Sequence, residues 1–219
     1  MPFRILFWSG LAGTASIVLS VTSAALAYRG RKGERYSLFN HFISELGEVG
    51  ISRRAWAFNG GMVLTGILLL PFAICLGPVV GGILGWVGAA LAVVAALGAA
   101  AVGMFPMNTL RRHVPAAMVF FYGGLGMALV VGVAILVQPA DRAAIPKIAS
   151  VLSLVTALAF GAFLVLPPVV IPGFDPINQL NPLVKAERPR FWILPFMEWQ
   201  VFTWTVAWVF GMAVVVGWR

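Results

Sequence analysis

The stretch VVGGILGWVGAALAVVAALGAAAVGM, residues 79–104, contains no charged side chain. It is long enough to cross the hydrocarbon core of a bilayer as one α-helix, which takes about 20 residues. The motif Gly81-x-x-x-Gly85, followed by Gly88 and a series of alanines, places small residues on successive turns. Small residues let helices approach closely where lipid gives no hydrophobic drive for association. The stretch therefore predicts a membrane-spanning helix, and we favour packing inside one chain over a dimer interface.

The composition of the whole chain extends this prediction. Hydrophobic residues make up 61% of the 219 residues and charged residues 10%, with a mean hydropathy of +0.97. An ordinary soluble domain is excluded, and the length leaves room for about six spans. The apolar residues lie all round each span, and no alternating strand pattern is present. We predict an all-α, polytopic membrane protein with six transmembrane helices in one bundle and a single domain, 1–219. The spans are about 4–28, 56–76, 79–104, 115–137, 148–172 and 192–218.

The first span also resembles a secretory signal. Arg4, an apolar run and the small-residue sequence Ala25-Leu26-Ala27 imitate such a signal and its cleavage site. Cleavage would leave five spans. Because the apolar run is about as long as a true span, we favour a retained helix.

The basic residues indicate orientation rather than a nucleic-acid partner. The net charge is +8, but the fifteen Lys and Arg residues are scattered through short connections. Six spans would place the first, third and fifth connections on one side with eleven basic residues, against four on the other. Connections rich in Lys and Arg tend to lie in the cytoplasm. We therefore expect a cell-membrane protein whose connections 29–55, 105–114 and 173–191 are cytoplasmic and whose termini are both on the outer side. The expected partners are membrane lipids and, as an open alternative, other membrane protein subunits.

Local predictions also follow for three connections and for the single cysteine. Gly77-Pro78 predicts a tight hairpin between spans two and three, and residues 138–147 predict a compact turn with interfacial Asp141 and Arg142. The proline-rich connection 173–191 is either a cover over a site or an inert interfacial loop. Cys75 is the single cysteine and is interpreted as a small buried hydrophobe. We expect neither a metal nor a cofactor.

The segment between Tyr36 and Arg54 is the main polar interruption of this oily chain. If it were helical, His41, Glu45 and Glu48 would share one face. Such a set could perform acid–base chemistry, ligate a metal or bind a cationic headgroup. The structural alternative is that Glu45 and Glu48 form ion pairs between connections. The arginines considered for those pairs are Arg53, Arg54 and Arg111.

The connection 103–113 supplies a second polar group expected on the same side. His113 lies just before Pro115 at the predicted start of span four, where it could cap the helix or act as an acid or base. Arg111 and Arg112 could hold phosphate or carboxylate, or could only determine topology. Glu198, the acid inside the sixth span, is either functional or reaches back to the interface, and the second account is simpler.

These patterns define one candidate site. The candidate catalytic residues are His41, Glu45 and His113. The candidate ligand-binding residues are Asn40, Ser44, Glu48, Asn59, Asn108, Arg111, Arg112 and Glu198.

Three elements of this sequence resemble a known family. They are Ile43-Ser44-Glu45-Leu46-Gly47, the pair Phe58-Asn59, and Gly103-Met104-Phe105-Pro106 followed by His113. In order and spacing they resemble the membrane family catalogued as domain of unknown function 998, and they are more distantly similar to the Frag1/DRAM/Sfk1 group associated with lipid remodelling and organisation. The resemblance implies a six-helix architecture. Met104 replaces the usual isoleucine, and Met107-Asn108 stands where the family commonly has an acid, so no carboxylate role carries over there.

Three functional classes follow from the residues and the resemblance. The first is a protein that binds or organises lipid, with a role as a small subunit of a larger membrane complex as one form of it. The second is an enzyme acting on a lipid ester or phosphate with His41, His113 and Glu45. The third is a small-solute transporter, ranked last because polar groups within the spans are few. Binding ranks first because no nucleophile, complete ligand set or phosphate loop is visible.

Overall fold

A computed structural model describes residues 1–139, 144–175 and 188–217. Within those residues it contains six long helices and no strand. All six are long and apolar enough to cross a membrane. The predicted all-α, six-helix membrane architecture is therefore confirmed, whereas the assignment of one domain stays a prediction. The helices are α1 Pro2–Ala27, α2 Ala55–Val80, α3 Gly82–Met104, α4 Leu110–Val137, α5 Ala149–Val170 and α6 Ile193–Gly217.

The helices form a ring in chain order. Each packs against the next along the chain, and α6 returns to pack against α1. At the end of the ring that holds the start of α1, the interior is filled by a large apolar cluster that includes Leu6, Phe72 and Trp208. Towards the other end, the ring encloses the cavity described below.

Small residues bring the backbones of α2, α3 and α4 together. A Cβ atom built on Gly85 would lie 2.9 Å from the carbonyl oxygen of Gly77 in α2. A Cβ atom on Gly98 would lie 2.8 Å from the Cα of Phe120, and one on Gly123 would lie 2.9 Å from the nitrogen of Ala95. Glycine is required at such approaches because any side chain would separate the helices. The predicted packing of α3 inside the chain is confirmed.

The turn between α2 and α3 differs from the prediction. The expected hairpin at Gly77-Pro78 is wrong, because α2 continues through Pro78 to Val80. The chain reverses at Gly81 and Gly82, whose φ angles are +76° and +64°. Only glycine adopts that left-handed region without strain, so the paired glycines, rather than the proline, decide where the helix ends.

The start of α4 also differs from the prediction. Thr109 donates its backbone N–H to the carbonyl oxygen of Pro106 at 2.8 Å, closing a short 3-10 helix, Met107–Thr109. This turn starts the helix early, at Leu110 instead of Pro115, so His113 lies inside the first turn of α4. The predicted Asp141–Arg142 turn and most of the predicted 173–191 cover lie outside the described residues.

Three connections meet at one end of the ring. Trp192 donates its backbone N–H to the carbonyl oxygen of Phe39 at 2.8 Å, which joins the fifth connection to the first. Val49 and Asn108 join the first connection to the third: the Val49 N–H reaches Asn108 Oδ1 at 2.7 Å. We call this the connection end. The expectation that these connections share a side is confirmed, and the assignment of that side to the cytoplasm stays a prediction.

Candidate functional site

The polar segment of the first connection is not an α-helix. It contains one 3-10 helix, Ile43–Gly47, and His41 precedes it. The prediction that His41, Glu45 and Glu48 share one helical face is therefore wrong. A 3-10 helix has three residues per turn, and this one is too short to align positions four and seven apart.

Glu45 forms a saturated ion pair. Its side chain is 0% exposed. Arg188 donates to both carboxylate oxygens, at 2.8 Å and 2.6 Å. The Phe42 backbone N–H donates at 2.9 Å and the Tyr28 hydroxyl at 3.4 Å. A carboxylate offers about four acceptor positions, and these four donors occupy them, so Glu45 has no free lone pair to offer a substrate.

The partner of Glu45 differs from the expected ones. Instead of Arg53, Arg54 or Arg111, the structure places Arg188, from the fifth connection, against this carboxylate. Glu48 pairs with Arg31 of its own connection. An ion pair between connections, which was the structural alternative, is present for Glu45, whereas Glu48 pairs within its own connection. Burial raises the pKa of the Glu48 carboxyl, while the charge of Arg31 opposes that shift.

His41 lies in a packed aromatic cluster, with its side chain 2% exposed. Its ring centroid lies 5.4 Å from that of Tyr28 and 5.2 Å from that of Tyr36. Nδ1 accepts the Ser37 backbone N–H at 3.3 Å, and Nε2 lies 3.8 Å from a carboxylate oxygen of Glu34. Burial lowers the pKa of the His41 imidazole. We call Tyr28, Tyr36, His41, Glu45 and Arg188 the Glu45 cluster.

Three asparagines of the candidate site bind backbone groups. Asn59 donates to the carbonyl oxygen of Gly47 at 2.9 Å, which ties α2 to the 3-10 helix. Asn108 donates to the carbonyl oxygen of Val49 at 2.9 Å, completing the pair described above. Asn40 donates to the carbonyl oxygen of Pro189 at 3.2 Å. In this structure all three hold the connections together.

A cavity of about 110 Å³ lies inside the ring at the connection end. Five helices and the first 3-10 helix line it, and most of its wall is apolar. We call it the central cavity. Its ionisable lining residues are His113 and Glu198. Its hydroxyl-bearing lining residues are Thr14, Ser44, Thr65 and Thr205.

Glu198 turns inward rather than reaching back to the interface. It is 8% exposed, and its carboxyl accepts the Ile43 backbone N–H at 2.7 Å. The hydroxyl of the next residue, Ser44, donates instead to Met107 Sδ at 3.7 Å. The simpler account, in which Glu198 extends to the interface, is therefore wrong. The first turn of a 3-10 helix has free N–H groups, and a carboxyl that caps them is favoured over one left in lipid.

One ring nitrogen of His113 binds the backbone of the third connection. The residue is 4% exposed and lines the cavity. Its Nδ1 lies 2.8 Å from the carbonyl oxygen of Phe105. A carbonyl can only accept, so the proton of that hydrogen bond belongs to Nδ1. Among the described residues, none forms a hydrogen bond with the other nitrogen, Nε2.

The structure thus divides the predicted site in two. Ser44, His113 and Glu198 line the central cavity, whereas His41 and Glu45 belong to the Glu45 cluster. The cavity lining does not include Arg111 or Arg112, which are exposed on the first turn of α4. In the described parts of the chain, no group of three His, Cys, Asp or Glu side chains could hold a metal ion.

Sequence reasoning missed several residues of these two groups. Arg188 entered the prediction only as one of the eleven basic residues that indicate orientation. A signal did exist, because a buried acid such as Glu45 requires a basic partner. Tyr28 was read only as the end of a span. Thr14 and Thr205 gave no signal, because hydroxyls within spans usually bond to their own helix. In this structure their buried Oγ1 atoms have no partner among the described residues.

The fold and these contacts define the class: a multi-pass integral membrane protein with a ring of six helices. A family model described as "Protein of unknown function (DUF998)" matches residues 11–215. The chain belongs to this family, and the resemblance carried by its three sequence elements is confirmed. No curated protein and no solved structure matches the chain.

Proposed function

We propose that the protein binds an amphipathic membrane lipid in its central cavity and acts as a lipid-binding or lipid-organising protein of the cell membrane. One observation carries the proposal. The cavity has apolar walls, and its ionisable groups, His113 and Glu198, lie near the connection end. Ligand sites of this kind combine apolar walls with a few placed polar groups.

The depth of the cavity suits a lipid tail. Along α6 the lining extends from Glu198 to Val209, and at the rise of an α-helix these residues are about 16 Å apart. Leu69 of α2 and Phe121 of α4 line the same space. A narrow, long and apolar space fits an extended hydrocarbon chain, with its headgroup beside His113.

Two hydroxyl groups support the presence of a further binding partner. The buried Oγ1 atoms of Thr14 and Thr205 have no hydrogen-bond partner among the described residues, and both residues line the cavity. Proteins rarely leave such groups unpaired. An oxygen-bearing ligand, or water that accompanies it, would satisfy them.

An enzyme acting on a lipid ester or phosphate is the second candidate. The free Nε2 of His113 favours it, because a general base needs an unoccupied nitrogen beside the substrate. His41 and Glu45 would support this chemistry only through the fold, since neither lines the cavity. Conversion of a lipid ester by the purified wild-type chain, lost in His113→Asn, would establish it. A transporter ranks third, because the six helices are continuous.

The binding proposal is tested by blocking the cavity. Ala117 of α4 lines it, whereas Val119 on the same helix is exposed outside. The full chain is purified in detergent as wild type, Ala117→Phe and Val119→Phe, and extracted lipid is quantified by mass spectrometry. We expect Ala117→Phe to lose most of the copurified lipid and Val119→Phe to retain it.

Two further results keep this experiment decisive. Ala99→Leu narrows the same cavity from α3 and should give the same loss if Ala117→Phe fails to fold. A wild-type protein that carries no lipid and runs as a free monomer would overturn the proposal. Equal retention by both cavity variants would overturn it as well.

A further inference from the structure

We infer that the central cavity selects a lipid whose headgroup is uncharged and bears a hydroxyl, such as a monoacylglycerol, over a lipid whose headgroup is a phosphate. This inference rests on the proposed function and names the ligand class of the same site. It follows from the donors and acceptors that the cavity presents and from the charges among its lining residues.

The first argument is the tautomer of His113. Since Nδ1 donates its proton to the Phe105 carbonyl oxygen at 2.8 Å, Nε2 of the neutral imidazole is a bare acceptor. That acceptor lies on a side chain that is 4% exposed and lines the cavity. An acceptor in an apolar space needs a donor, and a hydroxyl headgroup supplies one. The hydroxyl is therefore the group that Nε2 would recognise.

The second argument is charge. None of the described residues that line the cavity is Lys or Arg. Arg188 lies at the connection end but is engaged with both oxygens of Glu45. A phosphate brought into this space would lose its hydration without gaining a counter-charge, which is strongly unfavourable. An uncharged headgroup avoids that cost.

The third argument is the carboxyl beside the headgroup position. Glu198 lines the cavity, and its carboxyl accepts the Ile43 backbone N–H at 2.7 Å. A carboxyl never supplies positive charge. It therefore offers a phosphate no counter-charge, whereas a hydroxyl can hydrogen-bond to a carboxyl in either protonation state.

The experiment compares two ligands that share one acyl chain and a free glycerol hydroxyl and differ in the phosphate, so it tests the charge argument. Monolauroylglycerol and lauroyl lysophosphatidic acid are titrated separately into the detergent-solubilised, delipidated full chain, and binding is followed by native mass spectrometry. We expect monolauroylglycerol to bind at least about 10-fold more tightly. Equal or tighter binding of the phosphate-bearing ligand overturns the inference.

A single substitution then tests the assigned acceptor. His113→Asn keeps a donor near the Nδ1 position for the Phe105 carbonyl oxygen and removes Nε2. Loss of one hydrogen bond should weaken monolauroylglycerol binding about 3- to 10-fold. Tyr122→Phe removes a polar atom from the exposed face of the same helix and should leave binding unchanged. Unchanged binding in a folded His113→Asn protein contradicts the assigned acceptor.

The outcomes separate this inference from the proposal beneath it. If the phosphate-bearing ligand binds more tightly and Ala117→Phe abolishes that binding, the cavity holds lipid and only the headgroup assignment fails. If neither ligand binds and Ala117→Phe retains all copurified lipid, the proposed function fails with it.

Discussion

The two histidines of this chain are both buried near the connection end, yet their surroundings differ. His41 is enclosed by Tyr28 and Tyr36, beside a carboxylate whose acceptor positions are all occupied. His113 has one nitrogen bonded to a carbonyl oxygen, and the residue lines the central cavity. Both were equal candidates for chemistry on the basis of sequence.

This difference separates the buried polar groups that hold the fold together from those that are available to bind a ligand. In the Glu45 cluster, the charged groups satisfy one another and join the first and fifth connections. Lining the central cavity, Thr14 and Thr205 have buried Oγ1 atoms with no partner among the described residues. His41 Nε2 has no hydrogen-bond partner there either, but it is packed among aromatic rings and does not line the cavity. We therefore expect changes in the Glu45 cluster to alter stability and changes in the cavity to alter binding.

The largest expected effect breaks the Glu45 cluster. Arg188→Gln leaves the buried Glu45 carboxylate without its charged partner, and such losses cost about 3–5 kcal/mol of unfolding free energy. Arg54→Gln is the control, because Arg54 is exposed and donates to the Ser23 hydroxyl at 2.9 Å, so its replacement leaves no buried carboxylate without a partner. It should cost less than about 1 kcal/mol. Denaturation of both variants in detergent micelles measures the difference, and equal losses would contradict a saturated structural cluster.

A smaller effect is expected where α3 meets α2 beside the cavity. A Cβ atom on Gly103 would collide with the backbone carbonyl oxygen of Asn59 and lie 2.9 Å from the Cβ of Met62. Because backbone cannot rotate away, Gly103→Ala should cost about 1–3 kcal/mol.

Gly60→Ala in α2 is the control for that substitution. No described atom lies within 4 Å of a Cβ atom built there. Alanine is the better helix former, so this variant should be neutral or slightly stabilising. Thermal unfolding of both proteins in the same detergent compares them. A Gly103→Ala protein as stable as Gly60→Ala would show that the helices flanking the cavity are less tightly packed than described.

The smallest expected effect is a pH dependence of the unfolding free energy that comes from His41. Burial lowers the pKa of His41 below its ordinary value of 6.5. The unfolded chain then takes up the proton first, so stability is lost as the pH falls below about 6.5 until the folded-state pKa is reached. His41→Gln should lose less stability over that interval.

Comparison of the two proteins isolates His41 from Glu48. Burial raises the pKa of Glu48 above 4.5, so the folded state takes up that proton first and gains stability as the pH falls towards 4.5. This opposing contribution is present in both proteins and cancels in their difference. Identical pH profiles for wild type and His41→Gln would contradict the enclosure of His41.

Much of the fold was predictable because hydropathy is local. Each span required only a run of apolar residues, and the small residues of α3 identified a closely packed helix. Helix ends were less predictable. Pro78 and Pro115 look like boundaries, but the positive φ of Gly81 and the short turn closed by Thr109 decide where the helices end and begin.

The candidate site was predictable in composition but not in arrangement. Sequence alone determined a six-helix membrane protein whose polar residues gather in the connections, since hydropathy and charge are properties of neighbouring residues. Only the tertiary structure decided that Glu45 pairs with Arg188, 143 positions away, and that His113 rather than His41 lines the central cavity. Those outcomes depend on how the ring of helices closes. The packing of distant segments gives the buried Glu45 its hydrogen-bond partners and places His113 at a cavity.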